Sequence, residues 1–89
     1  MKIKVELFGA SREFSKDYAI EFNVNNDSKI KDIRQELIKY LDQNFNGNED
    51  YKKIVKSSAF CSEDNNIVSD NYKITKNEKI AIIPPIGGG

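Results

Sequence analysis

Histidine and tryptophan are absent from this 89-residue sequence, and cysteine occurs once, as Cys61. A single thiol cannot form an internal disulfide, and without histidine the chain lacks the usual base of a nucleophilic triad. There is also no CxxC motif, no cluster with metal-ligand spacing and no glycine-rich phosphate loop before a helix. We therefore expect no bound metal or cofactor. We interpret Cys61 as a small buried apolar residue on a strand, with a reactive thiol as the alternative.

An excess of charge of either sign is also lacking, because 14 basic and 14 acidic residues give a formal net charge of zero. Such a balance provides no general attraction to nucleic acid or to an anionic membrane. No apolar run approaches the roughly 20 residues that span a bilayer, and the N-terminal MKIKVELFGA has no apolar block like that of a signal peptide. We expect a single cytoplasmic domain that binds neither nucleic acid nor membrane.

Alternating hydrophobicity predicts two strands at the N-terminus. In KIKVELF, apolar and polar residues alternate until Phe8 interrupts the polar side of the strand. In YAIEFNV, one face carries Tyr18, Ile20, Phe22 and Val24. The segment between them, GASREFSKD, supplies turn residues, so the two strands are expected to form a hairpin.

The segment NNDSKIKDIRQELIKYLDQ predicts a long helix, since its apolar residues recur every three or four positions. They are Ile30, Ile33, Leu37, Ile38 and Leu41. Asp27 or Ser28 is expected to cap the first turn. A second, shorter helix is predicted in EDYKKIVKS.

Three shorter strands are predicted in SAFCS, NIVSD and EKIAIIP, separated by polar turn clusters. The order strand, strand, long helix, strands favours an α+β fold in which the main helix packs on one face of a mixed sheet. The leading topology is the β-grasp (ubiquitin-like) roll, whose first and last strands are parallel neighbours at the centre. We predict a β-grasp domain over residues 1–83 and a flexible tail over residues 84–89.

Phe8 and Ile83 are predicted to lie together on the sheet face opposite the helix, beside the root of the tail. Exposed apolar residues at one place indicate a docking surface. The alternative is that they are ordinary single exposed residues, with Phe8 folded over the sheet edge.

The tail itself reads PPIGGG. Pro84 and Pro85 favour an extended polyproline II course, and glycines without a Cβ atom can enter a narrow channel. The reactive group that remains is the carboxylate of Gly89, which becomes an acyl donor once a partner enzyme activates it as an acyl-adenylate. The alternative is an inert, disordered end.

These segments together resemble a known family. IAIIPPIGGG resembles the C-terminus of the small, sulfur-carrying subunit of molybdopterin synthase, the MoaD type of the MoaD/ThiS family. VELFGASREF is similar to the first strand and following loop of that family, and NNIVSDNYKITKNEKIAIIPP to its last hairpin region. The sequence departs from the family at Gly87, where a small polar residue is common, and at Ile83, where an aromatic residue is common. The segment AFCSEDNN is also longer than the usual turn.

The resemblance implies that Gly89 is adenylated and converted to a thiocarboxylate, while the tail residues thread into the partner. These are Pro84, Pro85, Ile86, Gly87 and Gly88. It also implies partner contacts on the domain surface, apolar at Phe8, Ile67 and Ile83 and polar at Arg12.

By the same resemblance, the chain is a non-catalytic sulfur carrier of molybdenum cofactor biosynthesis. It would donate sulfur to a cyclic pterin precursor in the large molybdopterin synthase subunit, which supplies the catalytic groups, in a heterotetramer. It would have two other partners. One is an adenylating, E1-like enzyme that uses ATP, and the other is a sulfur donor enzyme.

Three alternatives remain open. The first is a sulfur carrier for thiamine synthesis or tRNA thiolation. The second is a ubiquitin-like modifier joined to lysines, and the third is a β-grasp interaction module with an inert tail. Carriers for thiamine and tRNA typically lack the Pro-Pro root, which disfavours the first alternative.

Overall fold

The computed structural model describes residues 1–86, and the predicted tail residues Gly87, Gly88 and Gly89 lie outside that range. Within it the strands are β1 (Lys2–Leu7), β2 (Ala19–Asn23), β3 (Ala59–Cys61), β4 (Ile67–Val68) and β5 (Glu78–Ile83). The helices are α1 (Ile30–Asn44), α2 (Glu49–Ser57) and a 3₁₀ helix (Gly9–Phe14). None of the helices in residues 1–86 is long and apolar enough to cross a membrane.

The strands form one mixed sheet in the order β2-β1-β5-β3-β4. β1 and β5 are parallel neighbours, with Leu7 beside Ile82, and the other neighbouring pairs are antiparallel. Because the first and last strands run side by side in the same direction, both end at the same edge of the sheet. This arrangement confirms the predicted α+β class and the β-grasp topology.

The core lies between the sheet and α1, as the hydrophobic periodicities predict. Alternate residues of β1 and β5 face it, and α1 contributes its apolar stripe, so all of these side chains are buried: Ile3, Val5, Leu7, Ile30, Ile33, Leu37, Leu41, Ile80 and Ile82. Burying an aliphatic side chain of this size contributes about 1.5–3 kcal/mol. The sheet therefore has one buried face and one outer face.

The first turn of α1 differs from the prediction. Lys29, not Asp27 or Ser28, is the N-cap residue, and its backbone N–H donates to Asp32 Oδ2 at 2.9 Å. Ser28 is engaged elsewhere, because its carbonyl accepts a hydrogen bond from Ile74 N at 2.7 Å. Pairing with the segment before β5 thus delays the helix by one or two residues.

The predicted hairpin loop contains a structured element. Residues Gly9–Phe14 form the 3₁₀ helix, in which Phe14 is fully buried and packs 5.2 Å from the ring of Tyr51 on α2. Tyr18 was predicted on the same strand face as Ile20 but lies outside β2 at a φ of +56°, with its side chain exposed. A positive φ turns the side chain away from the strand alternation that continues through Ile20.

Arg34 connects α1 to the C-terminal end of α2. Its guanidinium donates to the carbonyls of Val55 at 2.6 Å and Ser58 at 2.9 Å and pairs with Asp70 at 2.6 Å. Carbonyls at a helix C-terminus have no partner within the helix, so a cation there stabilises it. The predicted second helix is confirmed and is held against the domain in this way.

Candidate functional site

The outer face of the sheet is divided into a charged half and an apolar half. The charged half lies toward the start of β1 and β5, where Lys4 stands between Glu21 and Lys79. The mainly apolar half lies toward the end of these strands, and the half-buried Glu6, paired with Ala81, lies at its border. We call this half the outer apolar patch, and its members are Phe8, Ala59, Cys61, Ile67, Ala81 and Ile83.

The strand register brings the members of the outer apolar patch together. Ile67 pairs with Cys61, and Cys61 pairs with Ala81, so these three form one row across the sheet. Ile83 pairs with Ala59 in the next row. Strands lie about 4.8 Å apart, which places Ile67 roughly 10 Å across the sheet from β5. The predicted contact residues Phe8, Ile67 and Ile83 therefore share one face, with 46%, 76% and 38% of their side chains exposed.

Phe8 is held in place by the residue three positions after it. The hydroxyl of Ser11 donates to the Phe8 carbonyl at 2.6 Å and accepts from the Phe8 N–H at 3.0 Å. The Ser11 N–H bonds to the same carbonyl at 3.2 Å, and Ser11 is fully buried. Both backbone polar groups of Phe8 are thus satisfied locally, and its ring is directed outward from a fixed backbone.

The root of the tail rests on Gly9. At a φ of +56°, Gly9 adopts a conformation that other residues rarely take, and a Cβ atom placed there would lie 3.7 Å from Cδ of Pro84. Pro84 is half-buried by this packing, whereas Pro85 and Ile86 are exposed. The strand ends at Ile83, so the chain leaves the domain directly beside Phe8.

A cleft of about 300 Å³ opens on the other side of the root. It lies between the 3₁₀ helix and α2 and is lined by Ala10, Asp50, Lys53, Ile54, Ser57, Pro84 and Pro85. A protein that surrounds the tail therefore meets the outer apolar patch on one side and this cleft on the other.

Arg12, the predicted polar contact, lies in the last turn of the 3₁₀ helix. Its guanidinium carbon is 4.6 Å from the centroid of the Tyr18 ring. The neighbouring Glu13 accepts a hydrogen bond from the hydroxyl of Tyr51 at 3.1 Å and does not pair with Arg12. The structure thus brings Arg12, Phe8 and the tail root to one end of the domain.

Metal-ligating and nucleophilic side chains are sparse around this site in the part of the chain that the structure describes. In residues 1–86 no group of three or more Cys, Asp or Glu side chains is arranged to hold a metal ion. Cys61 lies half-buried within the outer apolar patch.

Two site residues were missed by the sequence analysis. The hydroxyl of Ser11 acts on a backbone group, which leaves no periodic signal, although a serine three residues after Phe8 in a turn segment is a recognisable pattern of local bonding. Tyr18 follows Asp17 at the start of the YAIEFNV pattern, and only its position next to a turn could have indicated that it does not face the core.

Comparison with known families and structures gives a consistent result. The model of the ThiS family matches residues 5–89 of this chain. No curated protein sequence matches it significantly.

Solved structures with a similar fold include two of small archaeal modifier protein 1 (SAMP1) from Haloferax volcanii. The first has a TM-score of 0.70 at 15% identity, and the match covers 100% of this chain and 100% of that one. The second has a TM-score of 0.68 at 13% identity, and the match covers 96% of this chain and 98% of that one. A Pyrococcus furiosus protein provisionally named molybdopterin converting factor, subunit 1, has a TM-score of 0.72 at 17% identity and covers 97% of this chain and 99% of its own. At these identities the likeness shows the fold, a ubiquitin-like β-grasp.

Proposed function

Because the chain belongs to the ThiS family, which comprises sulfur carriers and related ubiquitin-like proteins, we propose that it carries sulfur on the carboxylate of Gly89. The observation that carries this proposal is the outer apolar patch at the point where the Pro-Pro segment leaves the sheet. A carrier needs a surface that docks on its enzymes and a narrow segment that reaches their active sites. The outer apolar patch is suited to the first role, and the PPIGGG sequence is suited to the second.

The proposed chemistry requires activation by another enzyme. At neutral pH a terminal carboxylate, with a pKa near 3.5, is ionised and a poor acyl donor. Its oxygen attacks the α-phosphorus of ATP and releases pyrophosphate, which leaves an acyl-adenylate. A sulfide equivalent from a sulfur donor enzyme then attacks the carbonyl carbon, the bond to AMP breaks, and a thiocarboxylate remains.

We assign the carrier to molybdenum cofactor biosynthesis. The thiocarboxylate would enter the large molybdopterin synthase subunit and donate its sulfur to a cyclic pterin precursor. Two features support this pathway over thiamine synthesis or tRNA thiolation: the Pro-Pro root of the tail and the fold similarity to the Pyrococcus furiosus protein. The assembly with two large subunits and the cytoplasmic location belong to the same proposal.

The direct test is an intact-mass measurement of the protein after incubation with its adenylating enzyme, ATP and a sulfur donor. Replacing one carboxylate oxygen by sulfur raises the mass by about 16 Da, and omitting ATP abolishes the gain because no acyl-adenylate forms. A complete absence of this species under all conditions would contradict the proposal.

The similarity to SAMP1 favours a second candidate, a ubiquitin-like modifier joined to lysines. The same activated intermediate would then be attacked by a lysine amine, giving an isopeptide bond. Peptide mapping of the products distinguishes the two, because a modifier leaves glycine remnants on lysines of other proteins and a carrier does not.

Docking is tested by Phe8→Ala. Truncating an aromatic anchor at the centre of an interface typically costs 2 kcal/mol or more, so we expect binding to the large subunit to weaken by about 30-fold or more. Calorimetric titration measures the affinity, and Phe22→Ala, a half-buried aromatic on β2, is the control for general loss of packing. An unchanged affinity for Phe8→Ala would remove this residue from the interface.

A further inference from the structure

Tyr18 has a conformation that the strand pattern does not explain. Its φ of +56° is uncommon for a residue other than glycine and costs on the order of 1 kcal/mol or more. The surrounding backbone fixes this conformation, since Tyr18 N–H donates to Ser15 O at 3.2 Å and Tyr18 O accepts from Leu7 N–H at 2.8 Å. The result is an aromatic ring turned outward, with 53% of its side chain exposed.

The outward ring supports the guanidinium of Arg12. The distance of 4.6 Å from the guanidinium carbon to the ring centroid is within the range of a cation–π contact. Within residues 1–86, Arg12 takes part in none of the ion pairs, which all involve other side chains. Stacking occupies one face of the guanidinium and leaves its N–H edges available to a partner.

The stacked pair adjoins the outer apolar patch. Arg12 belongs to the 3₁₀ helix for which Phe8 is the N-cap. The carbonyl of Tyr18 accepts a hydrogen bond from the N–H of Leu7, the residue that precedes Phe8. The stacked pair therefore lies within reach of a protein that covers Phe8. Lys16 and Glu13 line the same open cleft as Arg12 and Tyr18, and the Glu13 carboxylate already accepts a hydrogen bond from the Tyr51 hydroxyl at 3.1 Å.

We propose that Tyr18 is a positioning residue that holds Arg12 flat, so that the pair binds a carboxylate of the protein docked on the outer apolar patch. This inference rests on the proposed docking function. A planar guanidinium presents paired N–H donors that match a carboxylate with two parallel hydrogen bonds. A side chain already fixed by stacking loses less conformational freedom on binding than a free arginine does. The partner thus carries an apolar surface with an aspartate or glutamate at its edge.

The test is a double-mutant cycle measured by calorimetric titration with the large molybdopterin synthase subunit. Arg12→Ala should weaken binding by about 10-fold through loss of a charge-assisted contact. Tyr18→Leu keeps an apolar side chain at the same backbone angle but removes the aromatic face, and should weaken binding by about 3-fold to 10-fold. Tyr18→Phe keeps the ring and should bind like the wild type. The double variant Arg12→Ala, Tyr18→Leu should be no weaker than Arg12→Ala alone, because Tyr18 acts through Arg12.

The salt dependence gives a readout that a purely structural role would not change. Raising the ionic strength should weaken wild-type binding more than Arg12→Ala or Tyr18→Leu binding, because both variants lose the same ion pair. Additive effects in the cycle, or equal salt dependence in all variants, would overturn the inference.

Two outcomes separate this inference from the proposed docking function. If Phe8→Ala weakens binding while Tyr18→Leu binds like the wild type, docking stands and the role of Tyr18 is overturned. If Phe8→Ala also binds like the wild type, docking on the outer apolar patch is itself overturned. In the free protein, ring-current shifts on the Arg12 side-chain resonances should disappear in Tyr18→Leu and persist in Tyr18→Phe. Unchanged Arg12 resonances in Tyr18→Leu would contradict the stacking on which the proposal depends.

Discussion

A single buried hydroxyl, that of Ser11, connects the 3₁₀ helix to the backbone of Phe8. In Ser11→Ala the Phe8 N–H loses its partner while remaining partly buried, and we expect the free energy of unfolding to fall by about 1–2 kcal/mol. Urea unfolding measures the change. Ser15→Ala is the matched control, since the Ser15 hydroxyl accepts only a long, exposed bond from Asp17 N–H at 3.3 Å. Equal stability of the two variants would show that the Ser11 bonds have no net effect.

At the same scale, individual residues show where sequence reasoning reaches its limit. Phe8 and Ile83 were placed correctly because strand alternation decides which face each residue occupies, and parallel pairing decides which end. Tyr18 was placed wrongly because one positive φ reverses a side chain without changing the pattern of residues around it. The N-cap of α1 was misplaced because Ser28 is engaged by Ile74, a residue distant in sequence.

At the scale of elements, α2 is held in place by polar contacts of ionisable side chains, and the protonation of these side chains affects stability. A hydrogen bond to Glu13 raises the pKa of Tyr51 above its usual 10.0, with burial and the charge of Glu13 adding to it. Lys52 donates to Asp42 at 2.6 Å, and this bond raises the pKa of Lys52 above 10.5. Burial raises the pKa of Tyr40 on α1. All three shifts favour the protonated form in the folded protein.

These shifts contribute to the pH dependence of stability in the alkaline range. A group with a raised folded-state pKa stabilises the fold fully below its unfolded-state pKa, and this contribution is lost as the pH rises through the folded-state value. We therefore expect little effect from these groups between pH 7 and about 9 and a fall in the urea midpoint above about pH 10. Tyr51→Phe and Lys52→Gln should each reduce that fall, whereas Lys56→Gln, exposed on the same helix, should not. A midpoint that stays constant up to about pH 11.5 would contradict this account.

Elements whose apolar residues recur with a regular spacing were predictable, and the 3₁₀ helix was not. The spacing of apolar residues identified α1 and β5 because each buries one continuous face. The 3₁₀ helix has no such repeat, and burial of Phe14 depends on Tyr51 of α2, which lies 37 positions further along the chain. The positions of the residues proposed to dock were therefore accessible from sequence, whereas the local structure that orients them was not.

At the scale of the whole molecule, the residues that hold the fold together are separate from those proposed to function. Among residues 1–86, every residue of the buried core lies between Ile3 and Ile82. Deleting Gly88 and Gly89 should therefore change the free energy of unfolding by less than about 0.5 kcal/mol and abolish sulfur transfer to the large subunit. Circular dichroism melts and a reconstituted synthesis assay measure the two effects. A truncated protein that still supports synthesis would contradict the carrier role.

The parallel pairing of β1 and β5 also determines how the domain responds to force. β5 is bonded along both of its edges, to β1 on one side and to β3 on the other. A pull on the tail acts along the axis of β5, so it loads these hydrogen bonds in shear, many at once, and does not peel them apart one at a time. If a partner enzyme draws in the tail as proposed, this pairing would keep the domain that bears the tail mechanically intact.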